Sequence, residues 1–108
     1  MVIGKNVTVV VDRPMGSIHP KHNHISYPIN YGFIPNVMAA DGEEQDAYIL
    51  GVDKPIDRFE GTVIAVIQRK NDVEEKWVVA PKGATYTKEE LRVAVAFQEQ
   101  YFEIEILF

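Results

Sequence analysis

Four acidic side chains crowd one short stretch, Asp41-Gly42-Glu43-Glu44-Gln45-Asp46. Asp41, Glu43 and Asp46 stand at i, i+2 and i+5. In extended chain, i and i+2 face the same side, and a turn at Gly42 lets Asp46 join them. Converging carboxylates repel one another unless a cation neutralises them, and hard oxygen donors suit Mg²⁺ or Ca²⁺. If they do not converge, the same residues are a solvated acidic loop.

A second set is Asp72, Glu74, Glu75 and Lys76. Strand alternation puts Glu74 and Lys76 on one face, with Glu75 and Trp77 on the other. A carboxylate beside a lysine can hold a metal and a phosphate together, or simply end a charged hairpin. A third set is basic: Arg13, Lys21, His19, His22 and His24. His22-x-His24, with Gly16 six residues earlier, resembles the opening of the cupin metal motif. That motif then needs a Glu, and Ile25-Ser26-Tyr27-Pro28 supplies no acid. Surface-loop histidines are the reading this favours. The fourth set is Tyr27-Pro28-Ile29-Asn30-Tyr31-Gly32-Phe33-Ile34-Pro35, in which two prolines and a glycine fix the backbone around two tyrosine hydroxyls and an amide.

The elements that must position these groups are mostly strands. Val7–Val11 is an apolar β-branched run. Asp12–Pro35 carries four prolines and two glycines and reads as an ordered loop region with short extended pieces. Asp41–Asp46 reads as a turn running into a strand, Ala47–Val52. Thr62–Gln68 and Glu75–Ala80 read as a hairpin about Lys70-Asn71-Asp72. Thr87 followed by Glu90 is a capping box, and Leu91, Ala94 and Val95 recur at helical spacing, giving a helix from Lys88 to about Gln100. Phe102, Ile104, Ile106 and Phe108 alternate with Glu103 and Glu105, a closing strand. The expected fold is mainly β, a small barrel or strongly curved sheet with one helix packed on it, in a single domain over residues 1–108.

Composition narrows the function classes. The chain has 108 residues, 46% hydrophobic and 25% charged, the values of a globular protein. A chain this short buries only roughly 60–68% of its unfolded surface, so a pocket is expected to be shallow or shared with a neighbouring subunit. No cysteine is present, which excludes disulfides, thiolate zinc sites and a Cys nucleophile and suits a cytoplasmic protein. No apolar run approaches the ~20 residues of a membrane span, and no signal peptide is expected. The net charge of −5 argues against a nucleic-acid binder. Phosphate compounds can still bind where divalent cations stand between the negative partners.

The motifs converge on one resemblance. The tyrosine stretch is similar to the Tyr-Pro-x-Asn-Tyr-Gly-x-Ile-Pro of family I soluble inorganic pyrophosphatases. Asp41, Gly42 and Asp46 match that family's Asp-Gly-Asp-Pro-hydrophobic-Asp, with Glu43 for Asp and Gln45 for the apolar residue. Asp12-x-Pro14-x-Gly16-Ser17 resembles its Glu-x-Pro-x-Gly-Ser. Lys76-Trp77-Val78-Val79-Ala80-Pro81 resembles its Lys-hydrophobic-x-Ala-Val-Pro. Phe97-Gln98-Glu99-Gln100-Tyr101-Phe102 resembles its Phe-Phe-Glu-x-Tyr-Lys. These segments keep the family order across most of the chain.

The resemblance implies a five-stranded barrel of OB type and Mg²⁺-dependent hydrolysis of pyrophosphate. By the match, Asp41 and Asp46 correspond to metal ligands, with Glu74 or Asp72 as the hairpin ligand. Glu43 stands where a carboxylate helps activate water. Lys76 holds a phosphate, with Lys21 as a second candidate, and Tyr31 and Tyr101 contact phosphate. Homo-oligomers are common in the family. Four departures accompany the match. Asp12 is shorter than Glu, and the segment from Ser17 to Tyr27 lacks the family's Lys-x-Glu and arginine, for which Arg13 is the candidate substitute. Phe102 stands for a lysine. Arg69 stands where counting back from Lys76 places an aspartate. They open a second reading, a non-catalytic module that keeps the barrel and binds Mg-phosphate or acts structurally.

Overall fold

A computed structural model describes residues 2–70 and 72–108. Asn71, the middle of the expected hairpin turn, lies outside them. Six strands and one helix follow in order: β1 (Asn6–Arg13), β2 (Asn30–Met38), β3 (Glu44–Ile49), β4 (Arg58–Arg69), β5 (Glu75–Ala80), α1 (Lys88–Glu99) and β6 (Ile104–Leu107). The sheet order is β1-β2-β3-β5-β4-β6, and β1 also pairs with β4. That extra pairing closes five strands into a barrel and leaves β6 on an edge of β4.

Strand β4 makes closure possible. Its first half pairs with β1, from Arg58 opposite Val10 to Thr62 opposite Asn6. Its second half pairs with β6, from Val66 opposite Leu107 to Arg69 opposite Ile104. Its register against β5 shifts between Val63 and Ala65, and such bulges bend a strand. The strand expected from Thr62 therefore starts at Arg58, because residues that look like loop in isolation find a partner in β1.

Residues 30–35, expected in a loop, begin strand β2. The prolines misdirected that reading, since proline cannot donate to a ladder. Pro35 lies beyond Phe33, the last β2 residue facing β1, and inside the register shift between Ile34 and Met38 opposite β3. The bulge absorbs the missing donor, and Asn36 beside it sits at φ 65°, a conformation asparagine tolerates. Gly32 has a harder reason: a Cβ there would lie 1.9 Å from the Val10 carbonyl oxygen. Strand β3 starts at Glu44, inside the expected acidic turn. At the C-terminus Ile106 is buried, while Phe102 and Phe108 are exposed, so the apolar alternation overshoots β6 at both ends.

Alternation sorts the core into two layers. Val9, Ile34, Ala47, Ile49, Val63 and Val79 pack as one cluster. The opposite parity, including Tyr48, Leu50, Ala65, Ile67 and Val78, packs under Leu91 and Val95 of α1. The helix starts as expected at a reciprocal box: Glu90 N–H donates to Thr87 Oγ1 and Thr87 N–H donates to the Glu90 carboxylate. Thr87→Ala should lower stability by about 1 kcal/mol in urea unfolding, with the helix otherwise unchanged by circular dichroism.

Candidate active site

Parallel pairing of β3 with β5 sets Ala47 opposite Trp77 and Tyr48 opposite Val78. One step earlier on each strand come Asp46 and Lys76, which share the helix-side parity. Lys76 Nζ lies 2.6 Å from Asp46 Oδ2 and 2.5 Å from Glu74 Oε1. The expected pairing of Glu74 with Lys76 on one face is present. Tyr31, opposite Tyr48 on β2, brings its ring to 5.6 Å from the ammonium.

Burial alone would push the Lys76 ammonium down, but Tyr31, Asp46 and Glu74 outweigh it and hold it above the ordinary lysine value. Burial pushes the Tyr31 hydroxyl up. At neutral pH the pair is thus an ammonium beside a neutral phenol, a donor set suited to phosphate oxygens.

Next to this centre lies a network that sequence reasoning did not assign. Arg69 is buried and donates from Nε and Nη2 to the two carboxylate oxygens of Glu99, at 2.9 and 2.8 Å, and from Nη1 to Glu74 at 2.9 Å. The Tyr48 hydroxyl donates to Glu99 at 2.6 Å and accepts from Gln98 Nε2 at 2.8 Å. Gln98 in turn accepts from the Tyr27 hydroxyl. Burial, then the charge of Glu99, raises Tyr48 well above the usual phenol value. Arg69 also stacks on Phe102, its Cζ 3.7 Å from the ring centroid. Two departures from the motif are therefore coupled. An aspartate–lysine arrangement has given way to Arg69 and Phe102, and a lysine at 102 would repel the guanidinium that Phe102 now covers. No local signal in the sequence joins Arg69 to Glu99, which lie 30 residues apart.

A cleft of about 550 Å³ opens over these groups. Among the expected site residues, Arg13, Tyr31, Glu74, Lys76 and Tyr101 line it, together with Arg69 and the three histidines. Asp46 joins it through Lys76. Asp41 and Glu43 are exposed in the β2–β3 turn, where Asp41 Oδ1 accepts the Glu43 N–H at 3.0 Å, and they are not among its lining residues. Asp72, which accepts the Glu74 N–H, and Lys21 are also exposed and outside the lining. Of the two hairpin candidates, Glu74 is the one turned to the site.

Among the described residues no three His, Asp or Glu side chains converge as a ready metal cage. Two carboxylates, Asp46 and Glu74, do converge on one positive charge, that of Lys76. This donor pair fits a hard divalent cation that completes its shell with water and phosphate oxygens, as Mg²⁺ does. A preformed all-protein site for two ions is not what these residues build.

The comparisons agree with the motifs. The family described as inorganic pyrophosphatase matches residues 4–96. An inorganic pyrophosphatase of Campylobacter jejuni is 30% identical over 90 residues, covering 74% of this chain and 51% of that one. One from Nostoc sp. is 41% identical over 44 residues, 41% of this chain and 24% of that one. The chain thus spans about half or less of these relatives. An Ehrlichia chaffeensis inorganic pyrophosphatase structure superposes with TM-score 0.74 at 18% identity, covering 97% of this chain and 86% of that one. A Neisseria gonorrhoeae one gives 0.65 at 22%, covering 91% and 74%. At such identities the likeness is one of fold, and it extends to the closed barrel with its single helix. From the match over residues 4–96, the chain belongs to the inorganic pyrophosphatase family.

Proposed function

We propose that the chain hydrolyses inorganic pyrophosphate with a divalent cation, Mg²⁺ by preference, in the cleft under Lys76. The observation that carries this reading is Lys76 held between Asp46 and Glu74 against the Tyr31 ring, on the wall of a cleft that also holds Arg13. Asp46 and Glu74 would hold the cation, with Asp41 and Glu43 close in sequence to receive a second contact. A bound divalent ion lowers the pKa of its water and neutralises charge on attacking and leaving oxygens.

The chain's own groups do the rest. Lys76 and Arg13 draw the polyanion in and orient it. The phenol of Tyr31 donates to a phosphoryl oxygen, and Tyr101 closes the cleft from beyond the helix. Cationic and hydroxyl donors fixed before the reaction take up the charge that grows on the leaving phosphate. The chain's negative charge is no obstacle, because the substrate meets cations first. The substrate is a small molecule and not nucleic acid, and a cysteine-free chain suits the cytoplasm.

A colorimetric phosphate-release assay tests this. Wild type should release phosphate from pyrophosphate only with Mg²⁺, and Lys76→Met should cut the rate by about 10²-fold. Binding of Mg-pyrophosphate without release would transfer the reading to the non-catalytic module.

A further inference from the structure

Of the basic set around residues 13–24, the reading above uses Arg13 and leaves the three histidines, which line the same cleft, without a role. Residues 17–27 form a small ordered hairpin. Ile18 bridges Ser26, His19 N–H donates to the Ile25 carbonyl at 2.8 Å, and Tyr27 N–H donates to the Ser17 carbonyl at 2.9 Å. The hairpin places three imidazoles in a chain of contacts. The His19 and His22 rings are 4.8 Å apart and the His22 and His24 rings 6.0 Å. His19 stacks on Tyr27, and His24 meets the Tyr101 ring edge-on at 6.5 Å.

Position alone sets the role of His19. Its Nδ1 accepts the backbone N–H groups of Lys21 and His22, at 3.1 and 3.2 Å. A ring that accepts at Nδ1 carries its proton on Nε2 and is neutral. Desolvation, then the positive groups around it (His22, Arg13, Lys21 and His24), push it below the ordinary histidine value. No carboxylate of the hairpin offsets these charges. The acids that face the cleft from other elements are already engaged: Asp12 with Arg13, Asp46 with Lys76, and Glu74 with Arg69 and Lys76. The hydroxyls facing it, Tyr27, Tyr31 and Tyr101, are donors at neutral pH. Arg13 Nε and Ser17 Oγ are buried atoms without a hydrogen-bond partner among the described residues, and such groups are completed by water or by a ligand.

We propose that His22, His24 and the Nε2–H of His19 form with Arg13 an anion subsite in this cleft, which receives a phosphoryl group and tightens as the imidazoles protonate. Histidine here replaces the lysine cations that the chain lacks, and so makes phosphate capture sensitive to pH between about 5 and 8. An anion, rather than a metal, is what the lining favours, since Arg13 stands in it beside the histidines and a guanidinium donates hydrogen bonds but ligates no metal. The proposal deepens the pyrophosphate reading and rests on it for the identity of the cleft.

Imidazole proton resonances, followed by NMR on the whole chain, separate the two. Sulfate is the probe, because it stays a dianion throughout this pH range, with pyrophosphate and phenyl phosphate as further arms. The expected result is that sulfate raises the titration midpoints of His22 and His24. By linkage, its affinity should rise about tenfold from pH 8 to about pH 5.5. The exposed pair His22→Gln/His24→Gln should abolish that rise while the amide spectrum stays folded. Equal responses to pyrophosphate and phenyl phosphate would assign the subsite to any phosphoryl group, and a stronger response to phenyl phosphate to organic esters. If the anions bind and shift Tyr31 and Arg13 but leave the histidine midpoints unmoved, the subsite is overturned and the cleft reading stands. If no anion binds with or without Mg²⁺, the cleft reading fails too. A response to Zn²⁺ and not to sulfate also overturns the proposal.

Discussion

Asp46→Asn should abolish pyrophosphate hydrolysis to within about 10²–10³-fold of wild type or lower, while the chain stays folded. Asp46 touches Lys76 and is the more exposed of its two carboxylate partners, open to a cation and a phosphate. The amide is nearly isosteric and cannot neutralise a cation. Lys76 keeps Glu74 as a partner, so the buried ammonium is not orphaned. With that partner in place, the loss of one carboxylate charge leaves no buried charge uncompensated. Activity should therefore collapse with an unfolding midpoint close to that of wild type. Comparable loss of both would show that Asp46 is a folding residue and not a site residue.

Arg69→Met should do the opposite, costing about 3–5 kcal/mol of stability. The side chain is buried and, among the described residues, is the only cation hydrogen-bonded to Glu99, which is itself buried and accepts one hydroxyl, that of Tyr48. Removing the guanidinium leaves that carboxylate uncompensated. Arg69→Met/Glu99→Met removes both charges and should regain most of the loss, because an ion pair replaced by apolar groups of similar size is near neutral. Urea unfolding of the single and double variants measures both effects. A single-variant loss under 1 kcal/mol would mean that the network is solvated in solution.

What was legible before the fold was known divides along physical lines. Local signals survived. Thr87 and Glu90 cap the helix because the box is written within four residues, and Glu74 and Lys76 share a face because strand alternation is local. Non-local compensation was not legible. Pro28 does lie in a loop, but Pro35 read as loop because a single sequence does not reveal that a bulge against β3 spares it its missing donor. Arg69 read as a lost metal ligand. Its partner Glu99 lies 30 residues on, and only the fold shows a buried ion pair in which Phe102 takes part. The acidic stretch left a converging triad and a solvated loop both open, and the fold leaves Asp41 and Glu43 exposed in the turn while β3 sets Asp46 against Lys76. The expectation of a shallow or shared pocket came from size alone, while the location of the cleft, beside the helix and over Lys76 and Arg69, came only with the fold.

The central claim, that this cleft splits pyrophosphate, is tested most directly by following the ³¹P spectrum of pyrophosphate incubated with the purified chain and Mg²⁺. The account predicts that the pyrophosphate resonance gives way to orthophosphate alone, at a rate that vanishes on chelation of the metal and in Asp46→Asn. A pyrophosphate signal that persists unchanged beside folded wild-type protein, at the rate of the protein-free control, would contradict it.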